Sequence, residues 1–356
     1  LRNVGLDIIR AASIILIVIS HTNNLLGKYI PGFKFITPLG SFGQEIFFSL
    51  SGFLIGTQLL KFINKNFRIQ QLLIFYSRRW IRTIPFYFLF VGVNYFIYLL
   101  WYKYSGLDLF ATDFKVAPYF TFTQNLFHPH PVFYPEIWPI SIEEWSYLLI
   151  PLPLIFVCFI SGGSPYRFFI MVLILMIVAI NILRINYVME YNPEQDWELR
   201  KIVVYRFDAL LYGILLSVLM KKREDYLRKN RTLLLIIGLS VCIIVNYAGH
   251  FIKSQGMNAV LFTILPLFSA LLLPYFRFKN FHDNKINRIL THTSLVSYAM
   301  LLSHLYFLQF LFISIFRPDN LWPSIGITCI YLVVAMIFST LFYNFVERPV
   351  LRLRKG

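Results

Sequence analysis

Apolar residues in this chain run in long unbroken blocks rather than at the three-to-four spacing of a half-wet helix. The first block, LDIIRAASIILIVISH from Leu6, has no charge between Ala11 and Ser20. About 20 consecutive apolar residues cross the hydrocarbon layer of a bilayer. On that measure the pattern predicts ten spans, at about 6–25, 42–60, 83–102, 139–160, 167–186, 204–220, 232–249, 258–276, 294–315 and 324–345. The expected fold is an all-α polytopic membrane protein. One membrane domain is expected over residues 1–356, with no internal repeat or appended soluble domain expected within them. An even number of spans puts both ends on one side.

Composition supports the bilayer as solvent: 58% of residues are hydrophobic and 14% are charged, against about 25% charged in soluble domains. The net charge of +16 would suggest nucleic acid in a soluble chain. Here it reads as basic loops on one side of a membrane, with no nucleic-acid partner. With the N-terminus inside, inner segments and helix ends collect 23 of the 33 Lys and Arg and outer ones 10. That asymmetry predicts both termini in the cytoplasm. Two outer loops stand out. Residues 103–138 are rich in Pro, aromatics and His, and 187–203 carry Glu190, Glu194, Asp196 and Glu198. Cys158, Cys242 and Cys329 all lie in apolar runs and are expected to be core packing. No small-residue cleavage site follows the first block, which is therefore read as a retained helix.

Ionisable residues inside spans are costly and point to function. Arg10 and His21 are eleven residues apart, close to three helical turns. They share one face at a separation of roughly 16 Å. His21 is the candidate general base, and Arg10 is placed at the inner end. Trp138–Tyr147, WPISIEEWSY, opens the fourth span with Ser141, Glu143 and Glu144. Its bland reading is a helix start, with Ser141 as cap and acids favoured by the dipole. Its functional reading makes one acid the partner of His21. Arg78, Arg79 and Arg82 precede Pro85. They serve either as inside anchors or as a phosphate clamp that Arg10 joins. Arg206 and Asp208 enter the sixth span and are expected to pair with each other or with other helices. His304 lies deep in the ninth span and is a weaker site candidate. Glu347-Arg348 reads as a local ion pair at the inner surface. His128-Pro129-His130 has no further ligand at metal spacing, and no metal is expected.

Several of these stretches together resemble the acyltransferase-3 family of bacterial membrane acyltransferases. The Arg10-x10-His21 spacing resembles the family's first helix. FGQEIFFSLSGFLI from Phe42 resembles its second-helix motif, YSRRWIRTIP from Tyr76 its Arg-rich segment, and WPISIEEWSY its WSLSVEEQFY. RFDALLYGILLS from Arg206, SYAMLLSH from Ser297 and FVERP from Phe345 complete the series, in family order and over nearly the whole chain. Pro139 and Trp145-Ser146 depart from the pattern, as does Glu45, where a small apolar residue is usual. Some relatives carry a fused extracytoplasmic esterase-like domain; the resemblance here is to the stand-alone form.

The resemblance implies a bacterial inner-membrane O-acyltransferase. It would move an acyl group, usually acetyl, from cytoplasmic acyl-CoA to a hydroxyl of a carbohydrate or glycolipid acceptor on the other side. On that reading Arg78, Arg79, Arg82 and Arg10 hold the CoA phosphates. His21 takes the acceptor proton and Glu143 positions the imidazole, while Ser141, Glu144, Arg206, Asp208 and His304 lie around them. The rival reading is a proton-coupled transporter, for which paired broken helices or inverted repeats would be the signal. A third is a regulatory membrane protein with an inactive chamber.

Overall fold

A computed structural model describes residues 3–63, 69–105, 115–153, 156, 165–252, 254–316 and 318–353. Among them there is no β-strand. The long helices are α1 (Val4–His21), α2 (Thr37–Ile63), α3 (Ile69–Ser105), α4 (Trp138–Leu149) and α5 (Pro165–Tyr191). They continue with α6 (Leu211–Lys222), α7 (Arg231–Phe251), α8 (Gln255–Ala270), α9 (Lys285–Ser303) and α10 (Leu321–Phe342). Each falls on one expected span.

Eight helical stretches among the described residues are long and apolar enough to cross a membrane, and the protein is a polytopic all-α membrane protein. The other two expected spans differ for separate reasons. The 42–60 span lies in α2, whose apolar run is interrupted by Gln44 and Glu45. Of the 139–160 span, residues 154–155 and 157–160 lie outside the described residues, as do Cys158 and positions 106–114 of the first outer loop.

Local chemistry sets the helix starts. Asn3 caps α1 by accepting the Leu6 N–H, with Asp7 in the first turn. Ser254 and Asn284 cap α8 and α9 in the same way. Ser141 is not a cap. Helix α4 already begins at Trp138, with Pro139 in its first turn, where a missing N–H costs nothing. Ser141 is instead buried inside the helix, and its hydroxyl accepts from Gln124 Nε2 at 2.7 Å.

The centre is a seam of α1 between α2 and α9, with α6 packed on the other side of α2. Glycine makes the α2–α6 contact close: a Cβ on Gly52 would run into the Leu210 carbonyl, and one on Gly213 into the Ser49 carbonyl.

Two buried ion pairs hold this region, and of the two expected arrangements they realise pairing with other helices. Arg206 binds Glu45 of α2 at 2.5 Å, while Asp208 binds Arg184 of α5 at 2.9 Å. All four side chains are fully buried. A charge in a membrane interior needs its partner from another helix. Glu45, unusual in the sequence pattern, is the counter-ion of Arg206. Cys242 is buried as expected, but Cys329 faces outward from α10, because that helix presents much of its surface to the surroundings.

Candidate active site

The His21 and His304 rings stack with centroids 5.0 Å apart, and His21 Nδ1 lies 2.9 Å from His304 Nε2. The tautomers follow from the neighbours. His304 Nδ1 is 3.0 Å from the carbonyl oxygens of both Met300 and Leu301. A carbonyl only accepts, so Nδ1 carries the proton and neutral His304 presents a bare Nε2. His21 Nδ1 must then donate to that atom, which leaves His21 Nε2 with a free lone pair. His304 is fully buried and His21 half-buried, and both line a polar cavity of about 590 Å³.

The helix carrying His304 is opened on purpose at this point. Residues His304–Gln309 form a π-helical turn, a widening that recurs at functional sites. Leu302 C=O and Tyr306 N–H, which a regular α-helix would join, each have a partner from the 134–136 segment. The Tyr134 hydroxyl donates to Leu302 O at 2.5 Å, and Glu136 Oε1 accepts from Tyr306 N–H at 2.6 Å. Tyr134 holds a left-handed φ of 50° to reach this place, an uncommon conformation for a bulky residue. The Tyr331 hydroxyl donates to His304 O at 3.0 Å. Gln309 then pins the end of α1, donating to His21 O and accepting from Asn24 Nδ2, both at 2.8 Å.

Glu143 is not beside His21. Its carboxylate accepts from the hydroxyls of Ser51 and Tyr147 and lies near Arg79 and Arg82. It follows Trp138, a wall residue of the polar cavity, by five positions, or roughly 7 Å along the helix axis. The place expected for Glu143 as orienter of the imidazole is taken by His304. Glu144 accepts from Thr83 Oγ1 at 2.7 Å and so joins α4 to α3. Three carboxylates do line the polar cavity, Glu136, Glu194 and Asp196, and the buried one is Glu136, two residues before the motif.

A second, larger cavity of about 1020 Å³ lies at the other end of the α1–α2–α9 seam. Its walls include Asp7 and Arg10 of α1, Lys61, Arg82, Arg277 and Glu347. The first turn of α1 and residues 343–351 both line it, so the two ends of the described chain meet there. Of the expected arginine clamp, Arg10 and Arg82 share this wall. Arg79 is drawn aside, its guanidinium 4.8 Å from the centre of the Tyr147 ring, and Arg78 is exposed. Glu347 turns into this cavity near Arg82 rather than onto Arg348. Along α1 the two cavities are separated by the stretch from Arg10 to Ile17, about 10 Å of helix.

The mouth of the polar cavity carries charges that the sequence reading passed over. Arg200 lies over the Trp138 ring at 5.2 Å and Lys201 over the Trp197 ring at 3.8 Å, and both bind Asp196. Burial alone would raise the Asp196 pKa, but Arg200 and Lys201 override it and hold the carboxyl down at about 2. The only signal available was the acidic run of that loop, in which the two cations went unweighted. His130, from the rejected metal motif, is buried with Nδ1 2.7 Å from Pro131 O. Burial pushes its pKa down to about 3.

The O-acetyltransferase OatA of Staphylococcus aureus strain NCTC 8325 is 26% identical over 97% of this chain and 57% of its own length. The OatA proteins of strains COL and MRSA252 match equally. The chain thus spans little more than half the length of these curated relatives. No solved structure matches it. A family model described as an acyltransferase domain matches residues 3–344, which include both histidines and Arg10 and Arg82. The chain belongs to the acyltransferase-3 family.

Proposed function

We propose that this protein transfers an acyl group from acyl-CoA, held in the basic cavity, to a hydroxyl of a carbohydrate-type acceptor in the polar cavity. The observation that carries the reading is the His21–His304 pair, which leaves His21 Nε2 bare on the polar cavity. Arg10 and Arg82 at the opposite end of the same helix seam supply charge for the donor phosphates. With that end in the cytoplasm, as the distribution of basic residues argues, the donor enters from the cytoplasm of a bacterial inner membrane. The acceptor then binds on the far side.

In the reaction His21 Nε2 takes the acceptor hydroxyl proton as the oxygen attacks the thioester carbonyl. The new ester C–O bond forms, the C–S bond breaks, and the CoA thiolate takes that proton from His21 Nε2 as it leaves, which returns the imidazole to its neutral form. His304 holds the His21 tautomer throughout. The polar cavity suits a polyhydroxylated acceptor. Buried amide atoms on its wall, Asn23 Oδ1, Gln44 Nε2, Gln195 Nε2 and Asn258 Oδ1, have no protein partner among the described residues. The relatives' name, O-acetyltransferase, makes acetyl the first acyl group to test.

The test is transfer of labelled acetyl groups from acetyl-CoA in inverted membrane vesicles, comparing wild type with His21→Ala at equal expression. Label reaching a lipid-linked or polysaccharide fraction only with the wild type supports the proposal. Transfer that survives in His21→Ala refutes His21 as base. Wild-type vesicles that transfer no acyl group but move a sugar across the membrane refute the enzyme reading.

A further inference from the structure

Glu136 is a buried carboxyl with one oxygen committed and one idle. Oε1 accepts the Tyr306 N–H at 2.6 Å, two residues beyond His304. Oε2 is buried without a hydrogen-bond partner among the described residues. The side chain lines the polar cavity together with His21 and His304. The short helical turn Pro135–Ile137 that carries it is braced on α9 by the Tyr134 hydroxyl. The residue is therefore rigidly placed in the wall of the chamber in which the ester would form, with its unused oxygen buried just behind that wall.

The groups facing Glu136 decide its charge. Four phenols surround it: Tyr119, Tyr134, Tyr306 and Tyr331. A phenol is neutral at pH 7 and gives a carboxylate little compensation. On the same cavity wall stand the His21–His304 pair, His250, Glu194, Asp196, Arg200 and Lys201. Those two cations are already engaged by Asp196. Burial raises the Glu136 pKa to about 8, against the lowering effect of the backbone N–H groups of Tyr306 and of Glu136 itself.

We propose that Glu136 is a further catalytic residue: a protonated carboxylic acid whose Oε2–H donates a hydrogen bond to the thioester carbonyl oxygen as that oxygen gains negative charge. The inference rests on the acyl-transfer reading above. No proton is transferred by Glu136; it gives a donor aimed at developing charge, as an oxyanion hole does. A carboxyl kept neutral by an apolar site is a known way to build such a donor. The division of labour is then complete within one chamber. His21 Nε2 accepts the acceptor's proton, and Glu136 Oε2–H stabilises the oxyanion on the donor. Its Oε1 keeps the π turn of His304 open.

The experiment compares wild type, Glu136→Gln and Glu136→Ala. Gln keeps an oxygen for the Tyr306 N–H and offers an amide N–H where the acid offered O–H. The infrared difference spectrum of wild type minus Glu136→Gln at pH 7 should contain the carbonyl stretch of a protonated carboxylic acid, fading as pH passes 8. Acetyl transfer should survive within several-fold in Glu136→Gln and lose the fall in rate above pH 8. In Glu136→Ala it should drop by about a hundredfold or more.

An absent acid band overturns the proposal whatever the activity shows. So does a band accompanied by wild-type transfer rates in Glu136→Ala. So does inactive Glu136→Gln protein with wild-type thermal stability, since that result requires the carboxylate itself. If wild type transfers no acyl group at all, the acyl-transfer reading fails and the donor role fails with it. The acid band then still reports whether Glu136 is protonated, so the two failures are told apart.

Discussion

Replacing His304 with alanine should cut acetyl transfer without touching the base itself. The substitution removes the acceptor of the 2.9 Å bond from His21 Nδ1 and leaves that N–H without its protein partner. An unsatisfied buried donor costs about 1–3 kcal/mol. The ring can escape the penalty by rotating or by moving its proton to Nε2, and either movement removes the bare lone pair from the cavity. At 1.36 kcal/mol per tenfold, the expected fall in kcat is roughly 5- to 150-fold. The KM for acetyl-CoA should change little, because the donor's charged groups sit at the other cavity. His21→Ala should fall further, by about 10²–10⁴, and the double variant should be no worse than His21→Ala alone. His304→Gln, whose carbonyl can accept the Nδ1–H, should recover part of the loss. The assay is initial-rate transfer in vesicles matched for protein content. Wild-type rates in His304→Ala, or losses in the double variant equal to the product of the single ones, would refute the coupled pair. A dead His304→Ala beside an active His21→Ala would reverse the two roles.

The other expectations concern separate parts of the molecule. Arg82→Ala should raise the KM for acetyl-CoA roughly tenfold to a hundredfold, the loss of about 1.5–3 kcal/mol from a charge-assisted bond. The same variant should leave single-turnover transfer at saturating donor nearly unchanged; an unaltered KM would remove Arg82 from the donor site. Gly52→Val should lower the thermal midpoint in detergent, because overpacking costs about 1–3 kcal/mol and the clash is with the rigid Leu210 backbone. Unchanged melting would mean that α2 and α6 separate freely. Glu136 has a raised folded-state pKa, so the stability it contributes is complete below about 4.5 and is lost as pH rises through about 8. The melting temperature of wild type relative to Glu136→Gln should therefore fall steadily across that window, and a constant difference would contradict the raised value.

The amino-acid pattern by itself determined the class of the molecule. Long apolar blocks admit helices that satisfy their own backbone in lipid, and the eight helical stretches among the described residues that are long and apolar enough to cross a membrane fall where the blocks are. It also determined that Arg10 and His21 share a face of one helix, because the period of an α-helix is local geometry. Each nonetheless opens onto a different cavity.

Which side chains meet across helices was decided only by tertiary packing. His21 and His304 are 283 positions apart, and no local spacing relates them. Glu143 carried the stronger motif, yet its helix points it at Ser51, Tyr147 and the arginines of α3. Arg206 and Asp208 are two positions apart and lie in adjoining helical turns, and each found its counter-ion on another helix. Glu136 lay just outside the conspicuous acidic pair. It became a candidate only when the opening of the helix after Leu302 gave one of its oxygens a partner and left the other bare. Helical periodicity reaches a few turns along one element, whereas desolvation forces a buried charge or polar group to find its partner wherever in the chain packing brings one near.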